Sequence, residues 1–239
     1  MADNPTETRS NLLTVPWSDT VRFVRQLSHD LRNHLNAMEL QSAYIGELTQ
    51  DQELTNEIKR LRKVVSDMNS TLQLLSRAVG EVTPNVITYP AGEFLADMRT
   101  QIERNFSKEN HEITWDLELQ DGILNIDPQL FQEVFVELFG NAFRHDRGKG
   151  ALVARARISD GRLLFTLHEP KAVFSSETQN WGREPFRNIR QRHYGLGLNR
   201  IRAIIEAHGG ELQAQYDPKA ATLVSTMALP MSSGQSEHG

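Results

Sequence analysis

Apolar residues recur at gaps of three and four early in the chain: Val24, Leu27, Leu31, Met38, Ile45 and Leu48, with His34 and Gln41 at the two seam positions that are not apolar. This heptad pattern predicts a long helix over 18–49, capped by Ser18 or Asp19. A second series, Leu54, Ile58, Leu61, Val65, Met68, Leu72 and Leu75, predicts a helix over 53–79 that stops at Gly80. The break between them, Thr49 to Gln52, is so short that the helices must be antiparallel neighbours. A two-helix hairpin cannot cover both sides of its seam, and each Leu or Ile left wet forfeits roughly 1.5–3 kcal/mol. Two solutions are open: the rest of the chain covers the hairpin, or a second copy completes a dimeric four-helix bundle. The second is the expectation.

Beyond Gly80 the pattern changes. Pro84 and Pro90 bracket a short extended segment ending at Tyr89, read as a linker and an edge strand. Phe94, Leu95, Met98 and Ile102 predict a helix over 91–106. His111 to Leu119 alternates, with Ile113, Trp115, Leu117 and Leu119 on one face, and Asp121-Gly122 turns the chain into a strand beginning at Ile123. Asp127-Pro128 opens a helix that runs to Arg144, with Leu130, Val134, Leu138 and Ala142 toward the sheet. Strands over 151–158 and 162–167 flank Ser159-Asp160-Gly161, residues 170–193 read as a lid-like loop, 195–208 as a helix, and 211–216 with 222–229 as a final hairpin. The order predicts an α+β fold: a helical hairpin, then one mixed sheet with helices on one face. The expected divisions are a flexible lead 1–16, the hairpin 17–80, a linker 81–90, an α/β sandwich 91–230 and a tail 231–239.

Composition narrows the chemistry. The net charge of -5 argues against a nucleic-acid binder. The absence of cysteine excludes disulfides, cysteine metal sites and thiol catalysis. No apolar run is long enough to span a membrane, and the first ten residues hold no signal-peptide core, so the cytoplasm is the expected location.

Within the first helix, His29 lies off the seam and is followed at once by Asp30. A carboxylate can hold the proton of one ring nitrogen and leave the other free to attack phosphorus. His29-Asp30-Leu31-Arg32-Asn33 resembles the H-box of bacterial sensor histidine kinases. The resemblance implies His29 as phospho-acceptor, Asp30 as the adjacent acid, and Asn33 as the residue that orients water or a partner's aspartate. Where that family commonly has Pro, this chain has His34, so no kink is expected.

Three further stretches carry the same resemblance. Glu137 and Asn141 share a helical face, with Arg144 and His145 at its end, a set able to hold hydrated Mg²⁺ and phosphates. Leu130 to His145 resembles the N-box of the histidine-kinase and gyrase ATPase superfamily, which implies Asn141 as the metal ligand, Glu137 at the upstream Glu/Asn position and Arg144 near the phosphates. His193-Tyr194-Gly195-Leu196-Gly197-Leu198, closed by His208-Gly209-Gly210, resembles the G2 box: glycines at 195 and 197 let backbone approach phosphates at a helix N-terminus. Glu184-Pro185-Phe186 looks like the F-box. The family's Asp-x-Gly-x-Gly segment, whose Asp bonds the adenine amino group, corresponds here to Glu169-Pro170-Lys171-Ala172-Val173. Glu169 stands at the Asp position, and Lys171 and Val173 replace the glycines.

The resemblance spans about residues 20–230 and implies a soluble histidine kinase without its own sensor domain. It would use ATP and Mg²⁺, phosphorylate His29, and pass the group to an aspartate of a response-regulator receiver domain. Its stimulus would come from a partner such as a separate sensor protein. The degenerate Glu169 segment keeps two alternatives in view: a histidine phosphotransferase that shuttles phosphate between receivers, and a silent binding module.

Overall fold

A computed structural model describes residues 16–118, 122–144, 147–174, 178–183 and 195–232. The expectations for residues 1–15, Leu119, Asp121, His145, Glu184-Pro185-Phe186, His193-Tyr194 and residues 233–239 lie outside the described residues. The chain divides into two compact units, Met1–Gly80 and Glu81–Gly239.

The first unit is a helical hairpin. Helix α1 spans Trp17–Leu48 and α2 spans Gln52–Ala78. The expected cap of α1 by Ser18 or Asp19 is not made: Pro16 is the N-cap, without a side-chain bond, and Asp19 instead pairs with Arg22 at 3.1 Å. Helix α2 is capped by Asp51, whose carboxylate accepts from the amides of Glu53 and Leu54 at 2.7 and 3.3 Å.

The packing between the two helices corrects the predicted seam. The residues of α1 that are buried are Ser28, Leu35 and Ser42, one heptad apart, and they are matched in α2 by Ile58 and Val65. Leu27, Leu31, Met38, Ile45 and Leu48 are exposed, as are His34 and Gln41. The α2 series splits: Ile58 and Val65 face inward, while Leu54, Leu61 and Met68 are exposed. Pattern reading skipped the serines because they are polar. They are also small, and Ser42 satisfies its own hydroxyl by donating to the Glu39 carbonyl at 2.8 Å, so burying it costs little.

The second unit is an α/β sandwich. Strand β1 (Ile87–Pro90) leads into α3 (Ala91–Asn105), followed by β2 (Ile113–Leu117), β3 (Ile123–Ile126) and α4 (Pro128–Arg144). Then come β4 (Leu152–Ser159), β5 (Arg162–Pro170), α5 (Gly197–Ala207), β6 (Glu211–Asp217) and β7 (Thr222–Pro230). The sheet order is β2-β4-β5-β7-β6, antiparallel except for the parallel pair β2 and β4. A single sheet was expected; instead β1 and β3 form a separate antiparallel ribbon, with Ile87 opposite Ile126. Asp160 and Gly161 both take positive φ, 52° and 69°, the type I′ geometry that a two-residue hairpin between right-twisted strands requires.

Alternation on β4, β5 and β7 sends Leu152, Phe165, Leu167, Met227 and Leu229 to one face, which belongs to the core. Helix α4 contributes Phe131, Phe135 and Phe139, each one turn apart and at most 1 % exposed. Phe135 meets Phe165 edge-on with ring centroids 4.8 Å apart, locking α4 to the sheet. That fixes the opposite face of α4, which carries the candidate site.

Candidate functional site

The hairpin presents His29 to solvent, with its side chain 67 % exposed. Its register follows from Ser28, whose burial turns the next residue outward. Nδ1 lies 3.2 Å from Asp30 Oδ1 and 3.5 Å from Asn33 Nδ2. The two neighbours ask for opposite tautomers: a carboxylate accepts only, an amide nitrogen donates only. The shorter, charge-assisted contact wins, so the proton sits on Nδ1 and Nε2 keeps its lone pair. Asp30 is also held by Gln26, which donates to it at 2.9 Å. The bonds from His29 and then Gln26 hold its carboxyl below the ordinary aspartate value.

In the second unit, α4 and the start of α5 bring the other predicted residues together. Arg144 Nε donates to the Gly140 carbonyl at 2.8 Å, which folds the guanidinium back along the helix. Its Nη2 then lies 3.4 Å from both Glu137 Oε2 and Asn141 Oδ1. Gly197 packs directly on Glu137: a Cβ at that position would overlap Oε1 and stand 2.8 Å from Cδ. Gly195 has a positive φ of 65°, and α5 starts two residues later. Arg200 Nε reaches Glu133 Oε2 at 3.5 Å, a second link between α4 and α5. A carboxylate, an amide and a guanidinium therefore converge beside a helix N-terminus, where the backbone dipole favours anions.

The far end of the sheet behaves differently. Glu169 closes β5, and its Oε2 lies 3.3 Å from Lys171 Nζ, with both side chains under 8 % exposed. Burial pushes the Glu169 carboxyl up, and the Lys171 charge and hydrogen bond oppose that. The backbone around the pair is tied on every side. Gly148 N donates to the Pro170 carbonyl at 2.6 Å, and Lys171 N donates to the Ala221 carbonyl at 2.7 Å. Tyr216 donates to the Lys171 and Ala172 carbonyls at 3.1 and 3.2 Å.

No protein-family model matches the chain. Similar curated proteins include an uncharacterized sensor-like histidine kinase of Rhizobium meliloti (strain 1021), 24% identical over 90% of this chain and 44% of its own length. Another is the alginate biosynthesis sensor protein KinB of Pseudomonas aeruginosa, 25% identical over 82% of this chain and 34% of its own. Sporulation kinase E of Bacillus subtilis (strain 168) is 25% identical over 90% and 29%. Over most of its own length the chain is similar to sensor histidine kinases. The chain spans less than half the length of the three proteins just named. Its fold is also that of full-length ShkA, crystallised in complex with AMPPNP, with a TM-score of 0.66 over 88% of this chain and 46% of ShkA at 16% sequence identity. No helix among the described residues is long and apolar enough to cross a membrane.

Asn141 and Arg144 are the groups here that could meet Mg²⁺ and phosphates, and Mg²⁺ needs few protein ligands when phosphates supply the rest. The described residues hold no group of three His, Asp or Glu that would form a metal cage by themselves. Glu169, which by the resemblance would meet the base, has its carboxylate engaged by Lys171.

Sequence reading singled out Lys171 as a lost glycine and missed its pairing with Glu169. Their opposite charges two residues apart at a strand end were the available signal. It also missed Arg202, which is 8% exposed and donates to the Trp181 carbonyl at 2.8 and 2.6 Å and to the Leu212 carbonyl at 2.6 Å. Asn199 donates to the Gly182 carbonyl at 3.2 Å, so residues 181–182 are anchored to α5.

Proposed function

We propose that this chain is the phosphotransfer part of a two-component signalling protein of the histidine-kinase kind, with His29 as the covalent carrier. The observation that carries the reading is the exposed imidazole whose Nδ1 rests against Asp30. With the proton on Nδ1, the Nε2 lone pair forms the N–P bond as the phosphorus releases its leaving oxygen. Transfer onward breaks that N–P bond and forms an acyl phosphate on an aspartate of a response-regulator receiver domain. Asp30 orients the ring, and Asn33 orients the incoming carboxylate or water. Residues 17–80 are the dimerisation and phospho-acceptor segment, 81–90 a linker, and 91–230 the catalytic-type domain. The exposed stripe of Leu31, Met38, Ile45, Leu61 and Met68 supports a homodimer, because its partner must bury apolar surface at two helix faces.

In the kinase reading, the phosphoryl source is ATP held at its phosphate end, with Asn141 ligating Mg²⁺ and Arg144 countering phosphate charge. A second reading is favoured by the Glu169–Lys171 pair: His29 receives its phosphoryl group from one phosphorylated receiver and delivers it to another, as a histidine phosphotransferase.

One experiment separates these. The protein and its His29→Ala variant are incubated with radiolabelled ATP and Mg²⁺, and separately with a phosphorylated receiver. Acid-labile label from ATP on the wild type alone supports the kinase. Label taken only from the receiver supports the phosphotransferase. No label on wild type from either source refutes both.

A further inference from the structure

The end of β5 carries a buried ion pair that none of the proposed transfer steps uses. By the resemblance, Glu169 stands where a carboxylate would meet the base; a carboxylate there accepts and never donates, so it distinguishes a purine bearing an amino group from one bearing an oxo group. That discrimination needs an available, correctly aimed oxygen. Here Glu169 reaches one methylene further than an aspartate would, and the Lys171 ammonium sits 3.3 Å from its Oε2. The ammonium supplies the donor that an adenine amino group would have supplied, and it adds a full charge that a neutral base cannot match. The lysine side chain is buried, 4 % exposed. The backbone that carries it is held as well: its amide is bound to Ala221, its carbonyl to Tyr216, and the preceding Pro170 carbonyl to Gly148. Gly148 lies so close that a Cβ there would stand 2.8 Å from the Pro170 carbonyl oxygen, so the segment is packed as well as bonded. Tyr216 in turn stacks with Phe174, ring centroids 5.7 Å apart, and Phe174 with Trp181 at the same distance.

We propose that Lys171 is a specificity-determining residue that occupies the base-recognition carboxylate from within, so that this domain does not select adenine. Any nucleoside triphosphate that binds does so through Asn141, Arg144 and the glycine-led start of α5, whatever its base. The proposal deepens the phosphate-end reading above, and it makes a statement about base preference that a binding measurement reads without any phosphorylation of His29.

The test is the ratio of ATP to GTP affinity, measured calorimetrically with Mg²⁺ on the full chain. Wild type is expected to show a ratio within about threefold, and the Glu169→Asp/Lys171→Gly double variant a preference for ATP of about tenfold or more. Lys171→Gly alone serves as the second variant, with the same direction expected, should the double variant lose its cooperative thermal transition. Wild type preferring ATP by about tenfold or more overturns the proposal. So does a folded variant that gains no preference. If wild type takes up neither nucleotide, the phosphate-end reading fails, and the variants alone decide: ATP uptake gained on freeing Glu169 supports the assignment, and none overturns it.

Discussion

Gly197 lies against Glu137 so closely that a Cβ there would overlap the Glu137 carboxylate where it now rests. The contact joins the two helices that carry the candidate phosphate end, and Glu137 is in turn paired with Arg144 at 3.4 Å. Gly197→Ala forces the Glu137 carboxylate to move, and because that is the far end of a flexible side chain the expected cost is at or below about 1 kcal/mol, the low end of overpacking. Glu137→Ala in the same background removes the obstacle. A thermodynamic cycle by urea denaturation should therefore show the double variant more stable than the sum of the singles. Additive losses would mean that α5 has moved off α4.

Asp30→Asn tests the tautomer argument at His29. An amide offers a donor as readily as an acceptor, so Nδ1 loses its obligatory proton acceptor and the Nε2 lone pair is no longer enforced. The rate of His29 phosphorylation is expected to fall about 10²–10⁴-fold, with the protein folded as before. Because His29 and Gln26 hold the Asp30 carboxyl below its ordinary value, the carboxylate persists as pH falls through the usual aspartate range. The wild-type Asp30 contribution should be lost at a lower pH than an ordinary aspartate's would be. An unchanged rate in Asp30→Asn would remove Asp30 from the mechanism.

The hairpin makes a separate prediction. Leu31→Glu combined with Ile45→Glu places charge on the exposed stripe and leaves Ser28, Leu35 and Ser42 untouched. Each lost apolar burial is worth roughly 1.5–3 kcal/mol across a dimer interface. Sedimentation equilibrium should show self-association weakened by orders of magnitude while circular dichroism retains the helices. The same substitutions at Ser28 and Ser42 should instead disrupt the hairpin itself.

How far the sequence could be read differs by element, and the reasons are physical. The helices and strands follow from periodicity, so α1, α2, α4 and the β4–β5 hairpin fall within a few residues of expectation. Periodicity does not rank two apolar stripes on one helix, so it assigned the α1 seam to Leu27 and Leu31 when Ser28, Leu35 and Ser42 take that place. Nor does it assign strands to sheets, which is why β1 and β3 were expected to join the main sheet. The convergence of Glu137, Asn141, Arg144 and Gly197 was legible because residues three and four apart on α4 share a face. The Glu169–Lys171 pair had a local signal, opposite charges two residues apart at a strand end, but its burial did not, since the surrounding chain, Tyr216 of β6 included, arrives from far along the sequence.

Lys171→Met leaves Glu169 buried without its ammonium. Breaking a buried pair from one side costs about 3–5 kcal/mol near neutral pH. Burial already raises the Glu169 carboxyl, and without Lys171 it rises further. A raised folded-state value means that the folded protein holds its proton more tightly than the unfolded chain does. The variant's stability is therefore greatest below the unfolded glutamate value and is lost as pH rises through the folded one. Chemical denaturation of Lys171→Met across acid to neutral pH should show this recovery on acidification. A pH-independent deficit would mean that Lys171 stabilises by packing alone.

Asp127 makes the opposite case. Its Oδ1 caps α4 by accepting from the amides of Gln129 and Leu130 at 3.0 and 3.2 Å, and its Oδ2 accepts from Asn85 N at 2.8 Å. Its own amide donates to His208 Nε2 at 3.0 Å, and His208 Nδ1 bonds the Ile204 carbonyl at 2.7 Å, which fixes the ring as the Nδ1–H tautomer. One residue thus ties the chain entering this unit, the start of α4 and the end of α5. Burial raises the carboxyl, but the amides of Asn85, Leu130 and Gln129 together outweigh it and leave the value lowered. A lowered value contributes stability that is present above the ordinary aspartate range and lost as pH falls through the folded value. Asp127→Ala should cost about 1–2 kcal/mol for the cap and more for the orphaned Asn85 amide. It should also flatten the acid limb of the stability curve. A variant as acid-sensitive as wild type would place that limb on other carboxylates.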